Sequence, residues 1–142
     1  MSKPSHALRP PIFIDQQADL EAHIKQLRAE LILAVDTEAN SLFAYQEQVC
    51  LIQISSTKED YIIDPLSVKD LSPLGELFKD PAIEKVFHAS EYDLIILYED
   101  SQFTFQNLFD TMLAAQILGK EKLGLEEMVA TEPELVGFRN GD

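Results

Sequence analysis

Leu31-Ile32-Leu33-Ala34-Val35-Asp36-Thr37-Glu38 is the stretch on which the reading of this chain turns. Residues 31–35 form a short continuous apolar run, which suits a strand buried at the centre of a sheet. The run then enters two carboxylates one residue apart. Side chains alternate along a strand, so Asp36 and Glu38 share a face, with Cα atoms about 7 Å apart. Like charges at that spacing repel, and a divalent cation between them reverses the sign of the interaction. For this segment alone the alternative is a solvated strand end whose acids mark a turn. No Lys or Arg occurs from Leu31 to Thr57, so Asp36, Glu38 and Glu47 have no basic neighbour in sequence.

Upstream, Leu20, Ile24, Leu27 and Leu31 recur at helical spacing, which predicts a helix over about 16–30 capped by Asp15. Downstream, Val49-Cys50-Leu51-Ile52-Gln53-Ile54 and Tyr61-Ile62-Ile63 read as further strands. The gaps between these strands are short, which predicts an antiparallel meander. The pattern then changes. Leu71, Leu74, Leu77 and Phe78 mark a short helix that ends before Pro81. Lys85 to His88 is the next strand, followed by a helix over about 90–99 carrying Leu94, Ile95, Leu97 and Tyr98. Phe105 to Phe109 is extended, and a helix over 111–118 follows, with Asp110 as its N-cap and Gly119 as its stop. Another helix starts near Leu123. Three strands followed by alternating strand and helix predict an α/β domain with a mixed sheet.

Composition bounds the function. At 142 residues and 46% hydrophobic, the chain fits one domain that buries roughly 68–70% of its unfolded surface. Residues 1–12, with Pro4, Pro10 and Pro11, read as a loose segment, 13–131 as the domain, and 132–142 as a tail without apolar periodicity. A single Cys, Cys50, excludes a disulfide framework and a four-thiolate zinc site, and its apolar neighbours predict a buried thiol. No apolar run approaches the roughly 18 residues of a membrane span, and no secretory h-region is visible, so a soluble cytoplasmic protein is expected. Eleven Lys and Arg against 25 Asp and Glu give a net charge of −14. A module that holds nucleic acid by electrostatics alone is basic, so that class is disfavoured.

A second segment carries chemistry: Phe87-His88-Ala89-Ser90-Glu91-Tyr92-Asp93-Leu94-Ile95. A strand ends near His88 and a helix starts near Ser90, a candidate N-cap, with Asp93 in the first turn beside the positive helix end. Read alone, Asp93 simply complements the dipole and His88 simply ends a strand.

Taken in order, Asp36-Thr37-Glu38, Asn40-Ser41-Leu42, the Val-Cys-Leu-Ile-Gln-Ile strand and His88-x4-Asp93-Leu94 resemble the exonuclease domain of ribonuclease D, within the DEDD family of 3′–5′ exonucleases. Asn107 to Ala115 is similar to the Asp-Thr segment that follows in that family. The likeness runs from about Phe13 to Val129. It implies a ribonuclease H-like mixed sheet flanked by helices, and hydrolysis of nucleotides from the 3′ ends of single-stranded RNA or DNA by a two-metal mechanism using Mg²⁺ or Mn²⁺. By the resemblance, Asp36, Glu38 and Asp93 are the catalytic metal ligands, and of the substrate-binding residues Thr37 and Leu42 line the 3′ nucleotide while His88 lies at the cleft. A bound cation would also remove the objection from net charge. Asp110 lies outside the family's metal quartet and reads first as a helix N-cap, with orientation of a ligand as the weaker option.

One departure stands out. The family's last motif is a Tyr or His with an Asp four residues on, supplying the fourth ligand and the group that positions or deprotonates the attacking water. Here no Tyr follows Tyr98, no His follows His88, and Asp142 is the one Asp after Asp110. A truncated or frame-shifted end accounts for this and for the atypical tail. The expectation is therefore an exonuclease domain of impaired activity. The alternatives are a catalytically inactive member that binds nucleic acid or protein, and a remnant without function of its own. Loss of a covering segment further predicts exposed apolar surface and oligomerisation through it.

Overall fold

The apolar run at 31–35 does lead into the middle of a sheet. The structure, a computed structural model, describes residues 9–40 and 48–126. Its strands are β1 (Ile12–Ile14), β2 (Ile32–Asn40), β3 (Gln48–Ser55), β4 (Asp60–Ile63), β5 (Glu84–Phe87) and β6 (Leu108–Asp110). Its helices are α1 (Gln17–Leu27), α2 (Ser72–Lys79), α3 (Ser90–Ser101) and α4 (Thr111–Ile117). The sheet order is β1-β4-β3-β2-β5-β6. β2, β3 and β4 form the expected antiparallel meander, while β2–β5, β5–β6 and β1–β4 are parallel. This is the mixed α/β sheet that the sequence predicts.

Parallel pairing decides where chemistry collects. Ala34 of β2 pairs with Val86 of β5, and Phe87 of β5 pairs with Asp110 of β6. β2, β5 and β6 therefore run in one direction; β5 and β6 end level with the middle of β2, and α3 and α4 both start there. In open α/β sheets the crevice outside the carboxyl ends of parallel strands is where ligands bind.

The core forms as the periodicities dictate. Leu20, Ile24 and Leu27 of α1 and Leu74, Leu77 and Phe78 of α2 are buried, each contributing about 1.5–3 kcal/mol of transfer free energy. α1 packs on α2 and β1, and α3 packs on β3. Phe78 stacks on Phe105 at 4.7 Å and meets Phe103 edge-on at 5.4 Å. Gly75 makes that contact possible, because a Cβ there would lie 3.2 Å from the Phe103 ring. Gly119, at φ +75°, follows the end of α4 in the left-handed conformation that favours glycine.

Several local expectations need correction. α1 starts one residue later than an Asp15 cap would allow: Gln16 is the N-cap and makes no side-chain cap bond. Leu31 is 79% exposed. The helix stops at Leu27 and β2 starts at Ile32, so Leu31 sits in the turn between two buried stripes and belongs to neither. β1, three residues long, carried no pattern of its own and is held by pairing with Tyr61, Ile62 and Ile63. Only residues 125 and 126 of the helix expected near Leu123 are described.

Lys85 is fully buried in β5, with Nζ donating to Asp80 O at 2.6 Å and Ile83 O at 2.5 Å. Burial pulls its pKa down, opposed by the charge of Asp80. At the other extreme, Leu108 and Phe109 of β6, Leu113 and Ile117 of α4, and Leu118 just beyond it are exposed. No helix among the described residues is long and apolar enough to cross a membrane.

Candidate active site

Along β2, Leu33 and Val35 are buried while Asp36 and Glu38 are exposed, so strand alternation places both carboxylates on one face as predicted. The ladder is broken immediately afterwards. Glu38 pairs with Leu51 and Ala39 with Val49, which leaves Cys50 as the extra residue of a β-bulge. Its thiol is partly exposed rather than buried, and donates to Glu38 O at 3.4 Å. The bulge explains the miss: an apolar run in sequence does not reveal which residue drops out of register.

Asp93 comes to these acids from α3. It is 8% exposed, an unusual environment for a carboxyl group. Thr37 Oγ1 donates to Asp93 Oδ1, which ties the interior of β2 to the first turn of α3. Burial raises the Asp93 pKa above the ordinary carboxylate value. The Thr37 bond opposes that shift, and the charges of Asp36, Glu38 and Asp110 reinforce it. The three carboxylates chosen from sequence thus share one electrostatic neighbourhood. Asp36 Oδ1 also accepts from Thr37 N at 3.0 Å.

The start of α3 differs from expectation. Ser90 is not the N-cap; Ala89 is, in the left-handed conformation at φ 57°, ψ 56°, and it supplies no cap side chain. β5 ends only two residues earlier, at Phe87, and the capping acceptor comes from the neighbouring strand. Asp110 Oδ1 accepts from Ala89 N at 3.0 Å, and Oδ2 accepts from Ser90 N at 2.7 Å and Ser90 Oγ at 2.8 Å. The same Oδ1 caps α4, accepting from Met112 N at 2.9 Å and Leu113 N at 3.2 Å, as the sequence predicted. Burial pushes the Asp110 pKa up, but the bonds from Ser90, Leu113 and Ala89 outweigh it and the net shift is downward.

His88 is half-buried beside this network, with Nδ1 2.8 Å from Thr111 Oγ1. Thr111 Oγ1 donates its single proton to Phe87 O at 3.1 Å. The histidine Nδ1–H is therefore the donor of the other bond, and neutral His88 carries its lone pair on Nε2. At its far end α3 is anchored by Asp100, whose Oδ2 accepts from Val49 N at 3.0 Å. Sequence reasoning passed over Asp100, yet a signal existed: an acid in the last turn opposes the helix dipole and so implies another partner. Leu42, expected at the 3′ nucleotide, lies outside the described residues.

Three carboxylates are hard oxygen donors of the kind Mg²⁺ and Mn²⁺ prefer. A cation would also relieve the like-charge crowding around buried Asp93. The donor chemistry fits, with Asp36 and Asp93 as they stand each accepting a hydrogen bond from Thr37. Among the described residues, no three His, Cys, Asp or Glu groups close into a ready-made metal cage.

Comparison with known proteins supplies the family. A 3′–5′ exonuclease family model matches residues 11–135. Ribonuclease D of Desulfotalea psychrophila is 43% identical over 112 residues, covering 78% of this chain and 30% of that protein. Exosome complex exonuclease RRP6 of Saccharomyces cerevisiae is 37% identical over 110 residues, covering 77% of this chain and 15% of that protein. The crystal structure of Escherichia coli ribonuclease D, an exoribonuclease involved in structured RNA processing, superposes with a TM-score of 0.80 at 31% identity, covering 85% of this chain and 32% of that one. The chain thus spans a third or less of the length of these relatives, and its fold is ribonuclease H-like. On these matches the chain belongs to the 3′–5′ exonuclease domain family, of the ribonuclease D and RRP6 type.

Proposed function

We propose that this domain hydrolyses nucleotides from the 3′ end of single-stranded RNA, or of DNA, with two divalent ions, Mg²⁺ or Mn²⁺, held by Asp36, Glu38 and Asp93. The observation that carries this reading is a buried carboxyl group, Asp93, set within the field of two carboxylates on one face of β2. When bound, such ions lower the pKa of water so that it attacks at neutral pH, and neutralise the charge on the leaving 3′ oxygen. The chain's own residues do the rest. Asp36 and Glu38 present oxygens from one face of β2, and Thr37 holds Asp93 across from them. Thr37, His88 and Leu42 line the terminal nucleotide, with His88 Nε2 free to accept a hydrogen bond. RNA is the favoured substrate, because the similar E. coli protein is an exoribonuclease. A cytoplasmic setting goes with this reading.

The sequence offers no Tyr after Tyr98 and no His after His88 to manage the proton of the attacking water. These 142 residues assayed alone, without such a group, are expected to turn over slowly. The alternative reading is a non-catalytic member that binds nucleic acid or a protein partner. Self-association through the apolar β6–α4 face belongs to the proposal, and light scattering across a concentration series tests it. The functional test uses 5′-labelled single-stranded RNA and its DNA counterpart in Mn²⁺ and in Mg²⁺. A ladder shortening from the 3′ end, lost in EDTA and in Asp36→Asn, is expected. Binding without any ladder, unaffected by Asp36→Asn, selects the non-catalytic reading.

A further inference from the structure

We propose that Asp110 is a positioning residue for Asp93, with Oδ2 holding the first residue of α3 while Oδ1 takes Ala89 N and caps α4. This rests on the metal-dependent reading of Asp36, Glu38 and Asp93 given above. Sheet register brings Asp110 to the spot, since it pairs with Phe87 at the last position of β5. The turn it meets is strained, because Ala89 adopts φ 57° without being glycine, a conformation that disfavours L-residues by roughly 1–2 kcal/mol. Something must hold the chain there. Oδ2 takes both the amide and the hydroxyl of Ser90, the first residue of α3, at 2.7 and 2.8 Å. Oδ1 takes Ala89 N together with the two α4 amides, Met112 N and Leu113 N.

Ser90 is buried, and Asp93 lies one helical turn further along the same helix. Rotation of that first turn moves Asp93 directly. At its other end α3 is held by Asp100 on Val49 N, so the Asp110 bonds fix the rotation at the end that carries the ligand. A group behind a metal ligand that orients it typically changes metal affinity or activity by about 10–100-fold when removed.

The division between oxygens makes the idea testable, because Asp110→Asn removes one task and keeps the other. Asparagine retains a carbonyl oxygen to cap α4, where Asn and Asp are equivalent N-caps. Its amide group, however, cannot accept from Ser90 N. The experiment measures three things on the full chain and on Asp110→Asn and Asp110→Ala: thermal melting, amide exchange at Ala89 and Ser90, and Mn²⁺ binding followed by the free-ion paramagnetic resonance signal.

Asp110→Asn is expected to stay folded but melt below the parent, because buried Ser90 N loses its acceptor, while Ser90 exchanges faster and the Mn²⁺ dissociation constant rises about tenfold or more. Asp110→Ala should melt lower still. Unchanged Mn²⁺ affinity and unchanged Ser90 exchange in Asp110→Asn overturn the proposal and leave Asp110 a plain helix cap. Unchanged Mn²⁺ affinity with faster Ser90 exchange overturns it too, since the clamp would then not reach Asp93. If the parent chain binds no Mn²⁺, the metal-dependent reading itself fails, a result distinct from binding that survives the substitution.

Discussion

Asp93→Asn separates what the site needs from what the fold prefers. Asp93 is 8% exposed, and its pKa is raised first by burial and then by the charges of Asp36, Glu38 and Asp110, against the Thr37 bond. A carboxyl group raised in the folded state is one whose ionised form the fold disfavours at neutral pH. Asparagine has the same shape, carries no charge and still accepts from Thr37. It gives up the attraction of the α3 N-terminus, about 0.3–1 kcal/mol, and about 1 kcal/mol of charge assistance in the Thr37 bond. Against these stand the several kcal/mol by which burying an ion is penalised. The balance favours the variant by about 1 kcal/mol, the usual size of a single stabilising substitution. For a chain of this length that is a rise in Tm of roughly 3–5 °C. Added Mn²⁺ reverses the order. At a free concentration a hundredfold above its dissociation constant it stabilises the parent by about 2.7 kcal/mol, an increment the variant loses. Paired melts with and without Mn²⁺ read both effects. A variant less stable than the parent by more than about 1 kcal/mol without metal, and equally stabilised by Mn²⁺, would refute the reasoning and make Asp93 a structural anchor.

Lys85→Met removes the Nζ bonds to Asp80 O and Ile83 O. Unpaired buried carbonyls cost about 1–3 kcal/mol each and relief of the buried charge offsets part, so urea melts at pH 7 should show a net loss of about 1–3 kcal/mol. Because burial lowers the Lys85 pKa from 10.5, the unfolded chain binds more protons between the lowered value and 10.5. The stability of the parent over the variant should therefore widen as pH rises through that window; a constant gap contradicts it. Asp100→Ala leaves Val49 N, on a residue 2% exposed, without its carboxylate. That costs about 1–3 kcal/mol, of which removal of an acid from a helix C-terminus returns about 0.3–1, measurable as a lower urea midpoint. Gly75→Val drives a side chain into Phe103 from 3.2 Å and should cost about 1–3 kcal/mol by overpacking, read in the same melts.

The extent to which the sequence foretold this molecule follows from the range of the interactions concerned. The meander, the central place of β2, the helix at Ser72–Lys79 and the α4 cap at Asp110 are set by local patterns: apolar runs, helical spacing and a carboxylate two residues before an amide. So was the pairing of Asp36 and Glu38 on one face, which follows from strand alternation alone. What escaped depends on partners distant in sequence. The start of α3 is held by a residue about twenty positions downstream, so Ser90 looked like the cap when Asp110 does that work. Cys50 looked buried because the bulge at Glu38–Ala39 arises from pairing between strands. Lys85 looked like an ordinary strand residue, since only the folded loop from Asp80 to Ile83 supplies its carbonyls. β1 has no pattern without β4 beside it.

The most direct single measurement is the isotopic fate of water in the reaction. The chain, in excess over a 5′-labelled single-stranded RNA, is incubated with Mn²⁺ in water enriched in oxygen-18, and the released products are weighed by mass spectrometry. Attack of water on the terminal phosphodiester, with departure of the 3′ oxygen, predicts nucleoside 5′-monophosphates carrying one heavy oxygen, absent from Asp36→Asn and Asp93→Asn. Unlabelled or cyclic products, or labelled monophosphates released equally by the two variants, would contradict a hydrolytic site built on Asp36, Glu38 and Asp93.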